Sequence, residues 1–231
     1  MTSRVRRDAA VLLLLAVLPA LAYAPAWWAG RLLGPGDGAA LHFPLRAAVW
    51  DSYQKGDLPE WNPTIFLGTP LLAAYRPGAF YPPMAVLAIL SPFVAFQVLV
   101  LASLAAAGGL LFLYLRRLGA ERTGAFVGGL CFALGPYLVA HLADTATVVA
   151  APLLPLVLLA AEDHMNRGSV GRAAGLAVSL ALLLLAGSPE AARAGAALVT
   201  GRLLVGHFLI PSARGPSRRL SALALLAAGL L

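Results

Sequence analysis

Charge is scarce in this chain of 231 residues: 12% are Asp, Glu, Lys or Arg, about half the ~25% of a soluble domain. The single cysteine, Cys131, rules out a disulfide framework and a Cys-built metal site. Set within an apolar run, it reads as a small packing residue of a helix. The chain lacks G-x-S-x-G, the P-loop, H-E-x-x-H and a G-x-G-x-x-G in a βαβ setting. Nucleotide chemistry and soluble-type hydrolysis therefore have no motif to stand on. Internal repeats and low-complexity segments are missing too, apart from the Ala and Leu bias of the apolar runs. The formal charge of +7 is spread among those runs and not gathered on one face, so it does not point to nucleic acid.

Apolar residues are what the chain has in quantity, 60% of the total, with a mean hydropathy of +0.83. At about 20 apolar residues per membrane span, helices are expected near residues 9–30, 93–115, 125–143, 146–161, 171–187 and 191–210. A last run, Leu220–Leu231, is too short to cross. The predicted fold class is all-α, a polytopic transmembrane helix bundle of about six spans plus a truncated seventh. It is expected to form a single domain, 1–231, cut from something longer. The first run follows Arg4, Arg6 and Arg7 as a signal peptide would, but it is too long for one and ends on Trp27 and Trp28.

The basic residues predict orientation. If helices alternate, Arg4, Arg6, Arg7, Arg116, Arg117, Arg122, Arg167, Arg172, Arg214, Arg218 and Arg219 fall on one side. That side is expected to be cytoplasmic. The loop 31–82 is then extracytoplasmic, and its Arg31, Arg46, Lys55 and Arg76 balance Asp37, Asp51, Asp57 and Glu60.

Most connections are short, so this long loop is the unusual segment. Its eight aromatic residues argue against disorder. Pro44 sets a helix running to about Gln54, with Gly56 just past its end. Leu45, Ala48, Val49 and Ser52 or Tyr53 would form its apolar face, lying in the membrane interface, with Arg46, Asp51 and Gln54 turned elsewhere. "LPEWNPTIFLGTPLLAAYRPGAFYPP", rich in Pro and Gly, predicts a fixed irregular wrap. Met84–Leu90 reads as a short interfacial or re-entrant helix.

Several polar residues could carry chemistry. Asp37 lies seven residues beyond Gly30, flanked by Gly36 and Gly38. It is either a general base or cation ligand beside lipid headgroups, or the polar residue of a plain turn. His42 and Arg46, one turn apart, could meet a phosphate or form the wet face of an interfacial helix. Glu60, Trp61 and Asn62 could line a sugar pocket, and Trp61 could equally be an interfacial anchor. His141 and Asp144 would share a helix face at i, i+3, on the same side as Asp37. Glu190 and Arg193 would pair at i, i+3. Glu162, Asp163 and His164 read as a solvated connection, and Arg202 and His207 as interior or snorkelling residues.

One string of motifs carries a family resemblance. An acid soon after helix one is followed by Phe43-Pro44, "G-x-L-P-x-W-N-P" (56–63), "G-x-P" (68–70) and "F-Y-P" (80–82). This order resembles the first extracytoplasmic loop of the YfhO-like family of bacterial membrane proteins, whose members resemble the GT-C class of lipid-dependent glycosyltransferases. "LRRLGAERTGA" (115–125) and "AGSPEAA" (186–192) are weaker echoes. In the latter, Ser188 and Glu190 stand where the family often has His and Gln. The resemblance implies a membrane glycosyltransferase of the bacterial cytoplasmic membrane, moving a sugar from a polyprenyl-phosphate-linked donor to an acceptor outside the cytoplasm. It implies Asp37 as catalytic base or as ligand of a divalent cation, Mg or Mn. Arg46 and His42 would neutralise the lipid phosphate, with Glu60, Trp61, His141, Asp144 and Glu190 as further substrate-binding candidates. The competing classes are a transporter or flippase, and a non-catalytic membrane assembly subunit.

Overall fold

The structure, a computed structural model, describes residues 2–208 apart from Phe66. The expected seventh helix and Arg214, Arg218 and Arg219 lie outside the described residues, as do the side chains of Arg4, Arg167 and His207. The described residues are mostly helical, and among them four stretches are long and apolar enough to cross a membrane. They are Val5–Trp28 in α1 (Thr2–Trp28), Pro92–Arg117 as α4, Arg122–Ala143 and Thr145–Asn166.

Two of these expected spans are not single helices. The third is α5 (Arg122–Leu134), α6 (Pro136–Ala140) and a 3-10 turn, His141–Ala143. The break falls at Gly135-Pro136, where proline has no N–H to continue the ladder. A side chain at Gly135 would collide with the Cys131 carbonyl. Cys131 itself is exposed on the helix surface and not packed inside. The fourth span is α7 (Thr145–Ala150) and α8 (Leu153–Arg167), parted at Ala151-Pro152.

The remaining helices are α9 (Val170–Leu185) and α10 (Pro189–Phe208), both packed beside α8. With 16 residues, α9 is ~24 Å long, less than a ~30 Å hydrocarbon core. α10 reaches the length but carries Glu190, Arg193 and Arg202.

Small residues set the crossing of α4 and α5. A methyl at Gly129 of α5 would come within 2.6 Å of the Gly108 carbonyl oxygen of α4. Backbones can approach this closely only where side chains are absent, the usual device for packing helices in lipid. Leu15 of α1, Phe112 of α4 and Ala125 of α5 fill the space beside that crossing.

The segment between α1 and α4 forms a cap on one end of the bundle. It holds a π turn (Gly38–His42), α2 (Phe43–Gln54), a two-residue antiparallel pair β1 (Trp61–Asn62) and β2 (Thr69–Pro70), and α3 (Pro82–Leu87). Gly56, at φ +78°, stops α2 as expected. The cap has its own apolar core, continuous with that of the bundle: Leu45, Val49, Trp50, Leu71 and Met84 pack with Phe96 of α4. Its polar groups tie the irregular backbone down. Trp50 Nε1 donates to the Met84 carbonyl at 3.0 Å and the Tyr53 hydroxyl to the Ala79 carbonyl at 2.6 Å. Gln54 Nε2 donates to the carbonyls of Ala88 and Leu90. The face expected of α2 is altered in one respect. Arg46 is not turned outward but is 1% exposed.

Gln97 of α4 anchors the start of the cap. Its side chain is fully buried, accepts from the Leu33 N–H at 2.9 Å and donates to the Arg31 carbonyl at 2.8 Å. Gln97→Leu keeps the volume but leaves two backbone groups unpaired. The expected loss is about 1–3 kcal/mol per orphaned group, read as a lower Tm in detergent by intrinsic fluorescence.

Candidate functional site

Polar residues gather at the capped end, around Asp144. That residue joins the 3-10 turn to α7 with φ −106° and ψ 78°, outside the helical region. The helical face expected for His141 and Asp144 is therefore not formed. His141 stacks on the Tyr137 ring with centroids 4.2 Å apart, and its Nδ1 lies 2.8 Å from the Tyr137 carbonyl oxygen.

His42 reaches Asp144 because of the π turn. A side chain at Gly38 would come within 2.9 Å of the Leu142 carbonyl oxygen, so the glycine lets that turn rest on the backbone just before Asp144. The wider π turn directs His42 inward, as such turns often do at functional sites. His42 is 2% exposed, and its Nε2 stands 3.1 Å from Asp144 Oδ1. It sits off the line of a good hydrogen bond, so the pairing is one of charge when the ring is protonated. His42 Nδ1 is buried without a partner.

Arg76 arrives from the other side of the cap. Tyr75 adopts φ +53°, a left-handed conformation costly for a residue with a bulky side chain. Its hydroxyl donates to the Leu184 carbonyl at 2.5 Å. Gly187, at φ +89°, leaves room for the carbonyls of Tyr75 and Arg76 against the turn between α9 and α10. This clip sets Arg76 Nη1 3.5 Å from Asp144 Oδ1. The Thr147 hydroxyl donates to Asp144 Oδ2 at 2.8 Å and lies 3.4 Å from Ser188 Oγ, which caps α10 by accepting from the Ala191 N–H.

Arg46 is the deepest charge. Its direct partners are neutral and distant: Nη1 donates to Thr145 Oγ1 at 3.3 Å and Nε to the Pro77 carbonyl at 3.4 Å. Burial, opposed by the Asp144 charge, lowers the guanidinium pKa to about 10, so it is still charged at neutral pH. The Asp144 carboxyl is held below the usual carboxylate range. The His42 contact is the largest cause; burial pushes the other way, and the Thr147 hydroxyl and the charges of His42 and Arg76 add to the lowering.

The other candidates are dispersed. Asp37 is exposed at the rim and forms no ion pair with another described side chain, although its neighbour Gly38 packs directly against the turn before Asp144. Glu60 is exposed; its carbonyl accepts from the Leu71 N–H and its N–H donates to the Leu58 carbonyl. Trp61 is 57% exposed on the two-strand pair, its ring filling the space beside Gly68. Glu190 accepts from Ser188 Oγ at 3.5 Å and pairs with Arg193 at 4.0 Å. Among the described residues no three His, Cys, Asp or Glu side chains converge. The neighbours of Asp144 are cationic, and Asp37 has no second acid beside it, so the donor set does not fit a divalent cation.

The sequence reading missed Arg76, Thr145 and Thr147. The signal was "DTAT", an acid at a helix start followed by hydroxyls, together with the "YRPG" turn. The opposite end of the bundle also differs from expectation. Glu162 and His164 are buried and not solvated. Glu162 pairs with Arg202, and neither ring nitrogen of His164 has a partner. Asp8 pairs with Arg122 and Arg116, and Asp163 with Arg117.

The depressed Asp144 carboxyl has a testable sign. The unfolded chain takes up this proton near the ordinary carboxylate pKa of about 3.9, and the folded chain only at lower pH. Its stabilisation is thus complete above that range and is lost as the pH falls. Asp144→Asn is expected to lower Tm at neutral pH and to flatten the acid limb of a Tm-against-pH curve; an unchanged limb would show that the carboxylate does not hold the cap. No family model, no curated protein and no solved structure matches the chain, so the arrangement of these side chains carries the functional reading.

Proposed function

We propose that the chain is the donor-binding part of a membrane glycosyltransferase, taking a sugar from a polyprenyl-phosphate carrier and passing it to an acceptor outside the cytoplasm. The observation that carries this reading is the buried Arg46 guanidinium with only neutral direct partners. A charge so placed is costly unless an anion completes it. Around Asp144 itself, the guanidiniums of Arg46 and Arg76 outnumber the one carboxylate. A phosphate on a lipid tail supplies the missing anion while its chain stays among the apolar helices. The loop motifs resembling those of YfhO-like proteins support the same reading.

In the reaction, the acceptor oxygen bonds to the anomeric carbon as the bond from that carbon to the phosphate oxygen breaks. The electron pair leaves on the phosphate, where Arg46 and Arg76 offset the charge. The acceptor proton passes to a carboxylate. Asp144, with its lowered basicity, is poorly suited to that task and orients His42 and Arg76. Asp37, exposed on the adjoining turn, is the base. In this reading the capped end faces outward and the end with Arg116, Arg117 and Arg122 faces the cytoplasm of a bacterial inner membrane, which the distribution of basic residues supports. Transport is a weaker reading, because the described buried ionisable groups lie toward the two ends and not at the midplane where transporters place them.

Two experiments test this. Arg46→Met in the intact protein is expected to keep or raise Tm, since an apolar replacement removes a buried charge. It should weaken polyprenyl-phosphate binding about 10- to 100-fold, the worth of a charged hydrogen bond. Asp37→Asn should reduce transfer of radiolabelled sugar from the carrier by about 100-fold or more. Undiminished transfer, or unchanged carrier binding by Arg46→Met, sinks the proposal. For orientation, Asp57→Cys in a Cys131→Ala background should react with a membrane-impermeant maleimide on intact cells, and Asp163→Cys should not.

A further inference from the structure

Helix α9 turns Leu176, Ser179 and Leu183 inward and leaves Gly171, Gly175 and Val178 exposed. Along that exposed side a groove of about 340 Å³ runs between α9 and α8, more than twice the ~150 Å³ of a cavity that holds benzene. Leu156 and Ala160 of α8 and Gly175, Val178 and Leu182 of α9 line it. Glycine gives the groove its depth, since a methyl at Gly171 or Gly175 would meet nothing within 4 Å. The Ser179 hydroxyl donates to the Leu176 carbonyl of its own helix at 2.8 Å and asks nothing of a guest. Whatever lies along this groove is apolar.

Its rim at the end opposite the cap is charged. Asp163 stands there already paired with Arg117, which uses the acid of the groove. Arg172, the only charged residue of α9, lines the same rim half-buried and has no ion-pair partner among the described residues. Two guanidiniums thus face one carboxylate, and the positive end of the α9 peptide dipole lies in the same turn. At ~24 Å, α9 is shorter than the hydrocarbon core. A short helix draws headgroups inward, toward flanking side chains that reach for them. An apolar trough that ends in an unpaired cation suits a guest that is apolar along its length and anionic at one end. A second copy suits it less. Two copies in one membrane run parallel, so each would bring its own Arg172 to the level of the other.

We propose that the groove between α8 and α9 binds an anionic phospholipid. One acyl chain lies along Gly171, Gly175 and Val178, and Arg172 takes the headgroup phosphate. The lipid fills the space that the glycines leave and holds α9 against α8. This site is at the other end of the bundle from Arg46, and it stands or falls independently of the donor-binding reading above.

The test uses the full chain in detergent with equal amounts of phosphatidylglycerol and phosphatidylcholine bearing the same acyl chains. Lipid adducts are counted by native mass spectrometry. Retention of phosphatidylglycerol over phosphatidylcholine by about tenfold or more is expected, as a charge-assisted hydrogen bond gives. Arg172→Gln should abolish that preference and leave the Tm in lipid-free detergent unchanged. Gly175→Leu, on an exposed face where added atoms meet nothing, should keep the fold, fill the groove and lose the selective adduct. Equal retention of the two lipids by the unaltered protein overturns the anionic assignment. A preference that survives both variants overturns the groove as its source. A dimer that Gly175→Leu disperses, without a selective adduct, gives the groove to a second copy and overturns the lipid.

Discussion

Asp144 is where the cap and the helix bundle are joined by charge. Its carboxylate draws His42 from a π turn and Arg76 from an irregular strap, two segments with no regular ladder between them. Irregular backbone at the end of an apolar bundle is stable only when its polar groups find partners inside the protein. The cap meets that demand with side chains. Gln97, Trp50, Tyr53, Gln54 and Tyr75 each hydrogen-bond to backbone of the cap or of the helices beneath it. Glycine completes the fit where two backbones touch, at Gly38 against Leu142 and at Gly187 against Tyr75 and Arg76.

The ion pairs among the described residues gather toward two ends of the bundle. At one end, acids and arginines compensate closely: Asp8 with Arg122, Asp163 with Arg117, Glu162 with Arg202. At the capped end compensation is incomplete, since Arg46 is buried with neutral partners and Asp144 already serves His42 and Arg76. The first pattern is that of ion pairs holding helix ends together. The second leaves the buried Arg46 charge without a carboxylate in direct contact, which is the observation behind the proposed anion site. Two irregular details stand beside it, the left-handed Tyr75 and the π turn.

Much of the fold was legible because lipid imposes a simple rule of length and hydropathy. The runs near 9–30 and 93–115 became α1 and α4, and the helix from Pro44 to Gln54 formed with its stop at Gly56. Where runs contained Pro136 or Pro152, hydropathy alone overlooked the breaks, since a proline changes the backbone without changing the apolar count. The candidate site was legible only in its ingredients. His42, Arg46, Asp144 and Glu190 were visible as polar residues near one end, but Arg46 was read as surface because helical periodicity reports a residue's own helix and not what packs over it.

Composition by itself determined that this chain is a bundle of apolar helices, because so few charges and so many long apolar runs leave no other way to satisfy the backbone. The spacing of Pro44 and Gly56 determined α2 for the same local reasons. Only tertiary structure decided which charges meet. His42, Arg76 and Asp144 are separated by many residues, and their approach depends on Gly38 and Gly187 admitting close backbone contacts. A contact of that kind is set by the packing of whole segments against one another, which no local pattern in the sequence encodes.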